Sequence, residues 1–189
     1  MTRKRLNPLV TMAAGILLSV TTACAVAVLP KARSVDAKDL VGSWRLVRIE
    51  YVDARGVTAD PYYGTDSTGQ LMYDRAGAMS VQIVGHPRPR VAVPQARPMA
   101  PEIAKRDALQ NAAVLDTYMA YFGTWRFDPP TSTVVHHIDS SLIPEESGMS
   151  YSQVVSFEGA LLVFTNRSDS AGAVVIRKKF WERMAVPAV

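Results

Sequence analysis

The chain has 189 residues, of which 48% are hydrophobic and 20% charged, a balance typical of one globular domain rather than a disordered chain or a repeat array. Its formal net charge of +4 depends on Arg3, Lys4 and Arg5, because the rest of the chain carries 18 basic and 17 acidic residues. A remainder so close to neutral gives no electrostatic footprint for nucleic acid, so we expect no nucleic-acid partner.

The first 27 residues have the pattern of a cleaved export signal. Basic residues precede an uncharged run, 6–30, and Ala23-Cys24-Ala25 supplies small residues at alternate positions, as signal peptidase requires. We expect a secreted or periplasmic protein that has lost Cys24, its one cysteine, and so forms no disulfide. Two alternatives stay open: the uncharged run is long enough for an uncleaved membrane anchor, and Cys24 could be the acylated cysteine of a lipoprotein.

The predicted organisation is a signal peptide or anchor over 1–27, a linker over 28–39 and one barrel domain over 40–184.

Short strands organise the chain beyond the signal. Extended apolar runs are separated by clusters of glycine, proline and polar residues, and strands do not alternate with helices as they would in a parallel sheet. The predicted strands are 40–53, 70–73, 78–84, 124–128, 133–140, 151–157, 160–165 and 173–182, with turns or loops at 58–69, 74–77, 129–132 and 166–172.

The segment 86–101 interrupts this pattern. It holds five prolines and three arginines without any acidic residue. Proline cannot donate to a sheet ladder, so we predict an extended surface loop. The commoner role for such a loop is a solvated connection. The alternative is a basic flap over the barrel mouth that contacts an anionic group.

One helix is predicted over 101–123. Pro101 suits the first helical position, Glu102 complements the positive end of the helix dipole, and Gly123 would end the helix. An apolar stripe at three- and four-residue spacing would pack against the sheet. The stripe consists of Ala104, Ala108, Ala112, Leu115, Met119 and Phe122.

Eight strands joined in sequence by short connections predict an all-β fold. Such connections favour an antiparallel meander, which closes into an up-and-down barrel when it has eight strands. The single helix would pack against the outside of this barrel. A barrel of this size has room inside for side chains or for one small ligand.

Short motifs along the chain carry a family resemblance. VGSWRLV, PYYGTD, GQLMYD, AGAMSVQI, AYFGTWRFD, TVVHHIDSSLIP and KKFWER together resemble the bacterial and fungal lipocalin-like domain family, whose fold is a calycin-type barrel. The resemblance spans nearly all of the chain after the signal. It implies that Trp44 packs beneath an arginine near the end of the chain, Arg183 or Arg177. The sequence departs from the family at Glu145 and Val155, where asparagine and arginine are common, which implies a different ligand or the loss of the usual activity.

Two adjacent histidines lie in the most family-specific motif. Successive side chains of a strand point to opposite faces, so one of His136 and His137 is expected to face the interior. There it would be a core histidine with satisfied hydrogen bonds, a ligand contact or a general acid/base. The pair cannot ligate one metal ion together, and we expect neither a metal site nor a cofactor. Ser141 shares a face with His137 if the strand continues unbroken.

Aromatic and amide side chains supply the other candidates. We expect Trp44 and Trp181 to belong to the core. Tyr121 lies at the end of the predicted helix and Trp125 just after it, where amphipathic rings suit a mostly apolar pocket. Glutamines on otherwise apolar strands are possible polar anchors. The candidate ligand-binding residues are His136, His137, Gln153, Tyr121, Trp125, Ser141, Gln82 and Tyr73.

The sequence contains no standard catalytic motif. The Ser, His and Asp of HHIDSS lie too close together on one strand to form a triad. Two function classes remain: an exported barrel that binds a small hydrophobic ligand, or a small isomerase, cyclase or dehydratase with His136 or His137 as its acid/base. The export signal favours binding, whereas a shared cavity for His137, Ser141 and Gln153 would favour catalysis. Membrane contact is expected only through an uncleaved or lipidated N-terminus, and the oligomeric state is open.

Overall fold

The computed structural model describes residues 34–88, 112, 114–170 and 173–185. The predicted export signal, most of the proline-rich loop and most of the predicted helix therefore lie outside the described residues. Within the described part, no helix is long and apolar enough to cross a membrane.

Antiparallel strands form one sheet that closes on itself. The strands from Thr68–Tyr73 onward pair in chain order, and the strand Gly42–Asp53 pairs with both Thr68–Tyr73 and the last strand, Ala173–Arg183, so eight strands complete a barrel. A short strand, Gly56–Thr58, forms a hairpin with Gly42–Asp53. The predicted eight-stranded antiparallel barrel is confirmed. In the described residues the elements are α1 (Ala37–Leu40), β1 (Gly42–Asp53), β2 (Gly56–Thr58), β3 (Thr68–Tyr73), β4 (Ala78–Val84), β5 (Tyr118–Asp128), β6 (Thr133–Ser141), a 3-10 turn (Pro144–Glu146), β7 (Ser150–Glu158), β8 (Leu161–Ser170) and β9 (Ala173–Arg183).

The prediction of a helix over 101–123 is wrong for its last residues, 118–123. Residues 118–123 belong to β5, and Val84 of β4 pairs with Tyr118. Within β5, Tyr121 is buried whereas its neighbour Phe122 is 55% exposed, which is the alternation of a strand. Gly123 does not end a helix: it lies at a bulge between β5 and β6, where a Cβ atom would overlap the carbonyl oxygen of His137. Helical structure remains at 112, 114 and 115 among the described residues.

The prediction of a turn over 166–172 is also wrong for residues 166–170, which belong to β8. Asn166 continues β8 and pairs with Arg177, and the strand extends to Ser170. Arg167, Ser168 and Asp169 are exposed there. At this end of the β8–β9 hairpin the strand has a polar sequence. A prediction based on apolar runs therefore does not detect it.

Trp44 closes one end of the barrel. Its side chain is 1% exposed, and its Nε1 donates to the carbonyl oxygen of Leu40 at 2.8 Å. The guanidinium carbon of Arg183 lies 4.1 Å from the centroid of the Trp44 ring, and Arg183 also donates to the carbonyl oxygens of Val41 and Asp39. Of the two arginines that the resemblance allowed, Arg183 is the one that covers this tryptophan. The predicted burial of Trp44 and Trp181 in the core is confirmed.

Candidate functional site

The barrel contains a cavity of about 510 Å³ at the end opposite Trp44. This volume falls within the range of about 300–1,000 Å³ that is usual for small-ligand sites. Four tyrosines contribute to its wall, and charged groups from β9 and from the 3-10 turn face it. We call it the outer cavity; its lining includes Tyr51, Tyr62, Tyr121, Tyr151, Met119, Val175, Glu146, Gln153, Asn166, Arg177 and Lys179.

A second, inner cavity lies deeper among the core side chains and has a volume of only about 10 Å³. That is the space of about one water molecule, so side chains fill the barrel interior below the outer cavity. Four residues line both cavities and form the cavity floor: Met119, Tyr121, Gln153 and Lys179. The expectation of a mostly apolar pocket is wrong, because the available space is near the mouth of the barrel and much of its lining is polar.

His136 is the histidine that faces the interior. It is 2% exposed, its Nδ1 lies 2.8 Å from the Tyr121 hydroxyl, and its Nε2 contacts the Tyr73 hydroxyl. Burial, with a smaller contribution from the charge of Lys179, lowers the pKa of His136 to about 3. The imidazole is therefore neutral at pH 7, with one N–H donor and one acceptor nitrogen. One tyrosine must then donate to it, and the other must accept from it.

The burial of Tyr73 fixes the direction of these hydrogen bonds. Tyr73 is 2% exposed, and within the described part of the chain its hydroxyl bonds only to His136. If that hydroxyl accepted, its proton would be buried without a partner, which costs about 1–3 kcal/mol. Tyr73 therefore donates to Nε2, and Nδ1–H donates to the oxygen of Tyr121. The proton of Tyr121 is left available to the outer cavity, which its side chain lines.

His137, Ser141 and Gln153 do not share a cavity, which was the condition that would have favoured catalysis. His137 lies exposed on the outer face, where its Nδ1 contacts the Ser150 hydroxyl at 3.2 Å. Ser141 does not share that face, because an extra residue, Asp139, bulges from β6 opposite the Phe122–Gly123 step of β5 and reverses the alternation. The equal-parity argument for His137 and Ser141 is therefore wrong.

The other candidates divide between the cavity and its surroundings. Gln153 is 6% exposed and belongs to the cavity floor, as Tyr121 does. Trp125 lines neither cavity: its ring centroid lies 4.6 Å from that of Tyr73, and its Nε1 donates to the Asp74 carbonyl oxygen. Trp125 can therefore influence the outer cavity only indirectly, by packing against Tyr73, whose hydroxyl contacts His136. Gln82 alternates with the inward residues of β4 and faces away from the cavity.

Arg177 and Lys179 are cavity residues that the sequence analysis missed. A signal for them was present, because they lie four and two residues before Trp181 and so share its inward face. Arg177 is neutralised by Asp60, which is 1% exposed and whose Oδ2 lies 2.5 Å from the Arg177 Nε. Lys179 forms no ion pair or hydrogen bond with the residues that the structure describes. Burial, followed by the charge of Arg177, lowers the pKa of Lys179 to about 8.

Glu146 is the carboxylate that lines the outer cavity. It accepts a hydrogen bond from the Ser141 hydroxyl at 2.6 Å and another from the Tyr151 hydroxyl at 3.1 Å. These bonds tie the 3-10 turn to β6 and β7. Over the described ranges, no group of three or more His, Cys, Asp and Glu side chains could hold a metal ion.

One comparison with known proteins gives a match. A family model described as a lipocalin-like domain matches residues 41–180. No curated protein and no solved structure matches the chain. The matched residues extend from the start of β1 into β9, so they include every residue of the outer cavity and also Trp44, whereas Arg183 lies outside the match. The resemblance stated for the motifs is thereby confirmed.

Proposed function

Because the chain belongs to the lipocalin-like domain family, we propose that it binds a small, mainly hydrophobic molecule in the outer cavity of its barrel. The observation that carries the proposal is the outer cavity itself, with about 510 Å³ of space and four tyrosines in its wall. Tyrosine rings offer apolar faces with a polar edge, as a small-ligand site requires. The ligand lies above the cavity floor, since the inner cavity is too small to hold it.

The placement of the two histidines favours binding over catalysis. His136 has both ring nitrogens engaged by tyrosines, and its lowered pKa makes it a weak base at pH 7. His137 points away from the cavity. Neither is placed to exchange a proton directly with a molecule in the outer cavity. An isomerase, cyclase or dehydratase mechanism built on either histidine therefore has less support than ligand binding.

We expect Met119→Trp to weaken binding of the neutral fluorescent probe N-phenylnaphthylamine by about tenfold or more, because the larger ring would fill space at the cavity floor. Phe122→Trp is the matched control: it lies on the same strand and is 55% exposed on the outer face. Fluorescence titration of wild type and both variants measures the effect. Absence of probe binding by the wild type, or equal binding by all three proteins, would contradict the proposal.

We also propose that the protein is exported. Support comes from the sequence of the first 27 residues, with its basic start, long uncharged run and small residues before a cleavage site. The mature protein is expected to begin shortly after Cys24 and to contain no cysteine. N-terminal sequencing of the protein outside the cytoplasm tests this. A chain that still begins at Met1 would indicate an anchor, and one that begins at an acylated Cys24 would indicate a lipoprotein.

A further inference from the structure

We propose that the ligand carries an anionic group, such as a carboxylate or sulfonate, and that Lys179 binds this group at the floor of the outer cavity. The inference rests on the proposed function and specifies its ligand class: an apolar, preferably aromatic body with one organic anion.

The charged side chains around the outer cavity differ in how well they are compensated. Three charged side chains line it: Arg177, Lys179 and Glu146. The positive charge of Arg177 is met by Asp60, and the carboxylate of Glu146 accepts two hydroxyl hydrogen bonds. Lys179 alone among these described groups forms neither an ion pair nor a hydrogen bond, and the charge of Asp60 acts on it less strongly than that of Arg177 does. A half-buried ammonium without a direct ion pair is costly, and an anion from a ligand would compensate it.

Hydrogen-bond donors converge beside Lys179 at the cavity floor. Tyr121 presents its proton to the cavity, because Tyr73 and His136 fix the direction of the hydrogen bonds behind it. The side-chain amide of Gln153 is buried at the same floor and forms no hydrogen bond within the described residues. One ammonium, one hydroxyl and one amide, carried by β9, β5 and β7, thus surround a common space. Charge-assisted hydrogen bonds from such donors are the usual means of holding an oxyanion.

The wall of the outer cavity above the floor indicates the chemistry of the rest of the ligand. Above the floor, the rings of Tyr51, Tyr62 and Tyr151 and the side chains of Pro61 and Val175 supply the apolar part of the wall. Three serines and Asn166 supply uncharged polar groups, and the Oδ1 of Asn166 is buried without a described partner. This wall suits a flat apolar body with a hydrogen-bond donor. An anionic head at Lys179 therefore places the apolar body against the tyrosines.

Two fluorescent probes that differ by one sulfonate test the inference. Anilinonaphthalene sulfonate is N-phenylnaphthylamine with an added anionic group, and both contain the same amine. We expect the wild type to bind the sulfonate at least about tenfold more tightly than the neutral probe. We expect Lys179→Met to remove this preference, since truncating one partner of a buried charge pair commonly costs tenfold or more.

The neighbouring lysine supplies the control. Lys178→Met makes the same chemical change on the opposite face of β9, where Lys178 contacts Glu158 at 3.4 Å, and should leave the binding of both probes unchanged. Lys179→Arg retains the positive charge and should keep a preference for the sulfonate. Thermal unfolding checks the fold of each variant. Lys179→Met is expected to be at least as stable as wild type, because it removes a half-buried ammonium that forms no ion pair with the described residues.

The pH dependence gives a second measurement with a definite sign. The groups around Lys179 are Arg177, Asp60, Glu146, Tyr121 and His136. The pKa of Lys179 in the free protein is lowered to about 8, so its ammonium is mostly present below that pH and is lost above it. A bound anion would raise this pKa. Affinity for the sulfonate should therefore fall as the pH rises above about 8, whereas Lys179→Met should show no such fall.

The outcomes separate the two proposals. If the wild type binds the neutral probe as tightly as the sulfonate, or if Lys179→Met weakens both probes equally, the anionic ligand class is wrong while cavity binding stands. If neither probe binds in the outer cavity, as judged with Met119→Trp, both proposals fail. A preference for the sulfonate that is lost in Lys179→Met and kept in Lys178→Met supports both.

Discussion

Trp44→Ala is expected to lower the free energy of unfolding by about 3–5 kcal/mol. The substitution removes a side chain that is 1% exposed and leaves a void at the closed end of the barrel. It also removes the hydrogen bond to the Leu40 carbonyl oxygen and the ring beneath the Arg183 guanidinium. The loss therefore combines a cavity, an unpaired carbonyl and a lost cation–π contact.

Urea denaturation of wild type and variant measures this loss. Val47→Ala serves as the control, because Val47 lies on the same strand and is 44% exposed; a surface change of this kind usually costs about 0.5 kcal/mol or less. A loss below about 1 kcal/mol for Trp44→Ala would mean that the closed end does not depend on this ring.

The second large effect is expected for Gly123→Ala, which should lower the free energy of unfolding by about 1–3 kcal/mol or more. A Cβ atom at residue 123 would overlap the carbonyl oxygen of His137 and lie 2.8 Å from the backbone nitrogen of Asp139. Both neighbours are backbone atoms, so no side-chain rotation relieves the contact. The two strands would have to separate at the bulge that sets the positions of His136 and Ser141.

Probe binding and denaturation together test this prediction. Gly123→Ala should weaken the binding of N-phenylnaphthylamine as well as the fold, because β5 and β6 carry Tyr121 and His136. Thr124→Ala, at the exposed position that follows, should change stability by no more than about 0.5 kcal/mol. An unfolding free energy within about 1 kcal/mol of wild type would show that the strands accommodate a methyl group at the bulge.

The barrel was predictable because its signals are local. The strand predicted over 78–84 matches β4 at both ends, since the turn before it contains Asp74 and Gly77, which suit a tight connection. The start of β5 was not predictable in the same way. Leu115, Met119 and Phe122 fit a helix, whereas Met119, Tyr121 and Trp125 fit a strand, so two periodicities overlap in one segment. Pairing of β5 with β4, a contact distant in sequence, decides between them.

The site was predictable only in part. Val134 and Ile138 share the parity of His136, so they indicated which histidine faces inward, although the sequence analysis left this open. The bulge at Asp139 has no local signature, and it changed the face of Ser141. Lys179 was overlooked because lysines on a strand are normally expected to face solvent. The inward position of Lys179 follows from the pairing of β9 with β1 and β8, which closes the barrel.

The pairing of β1 with β9 joins the first strand of the sheet to the last. Until β9 is in place, β1 and β8 each lack a neighbour and present a row of free backbone donors and acceptors, which is the kind of edge that draws chains into aggregates. Closure requires contact between segments more than one hundred residues apart, such as Trp44 and Arg183, and contacts of this range are slow to form. The period before closure is therefore the time at which the chain is most exposed to self-association.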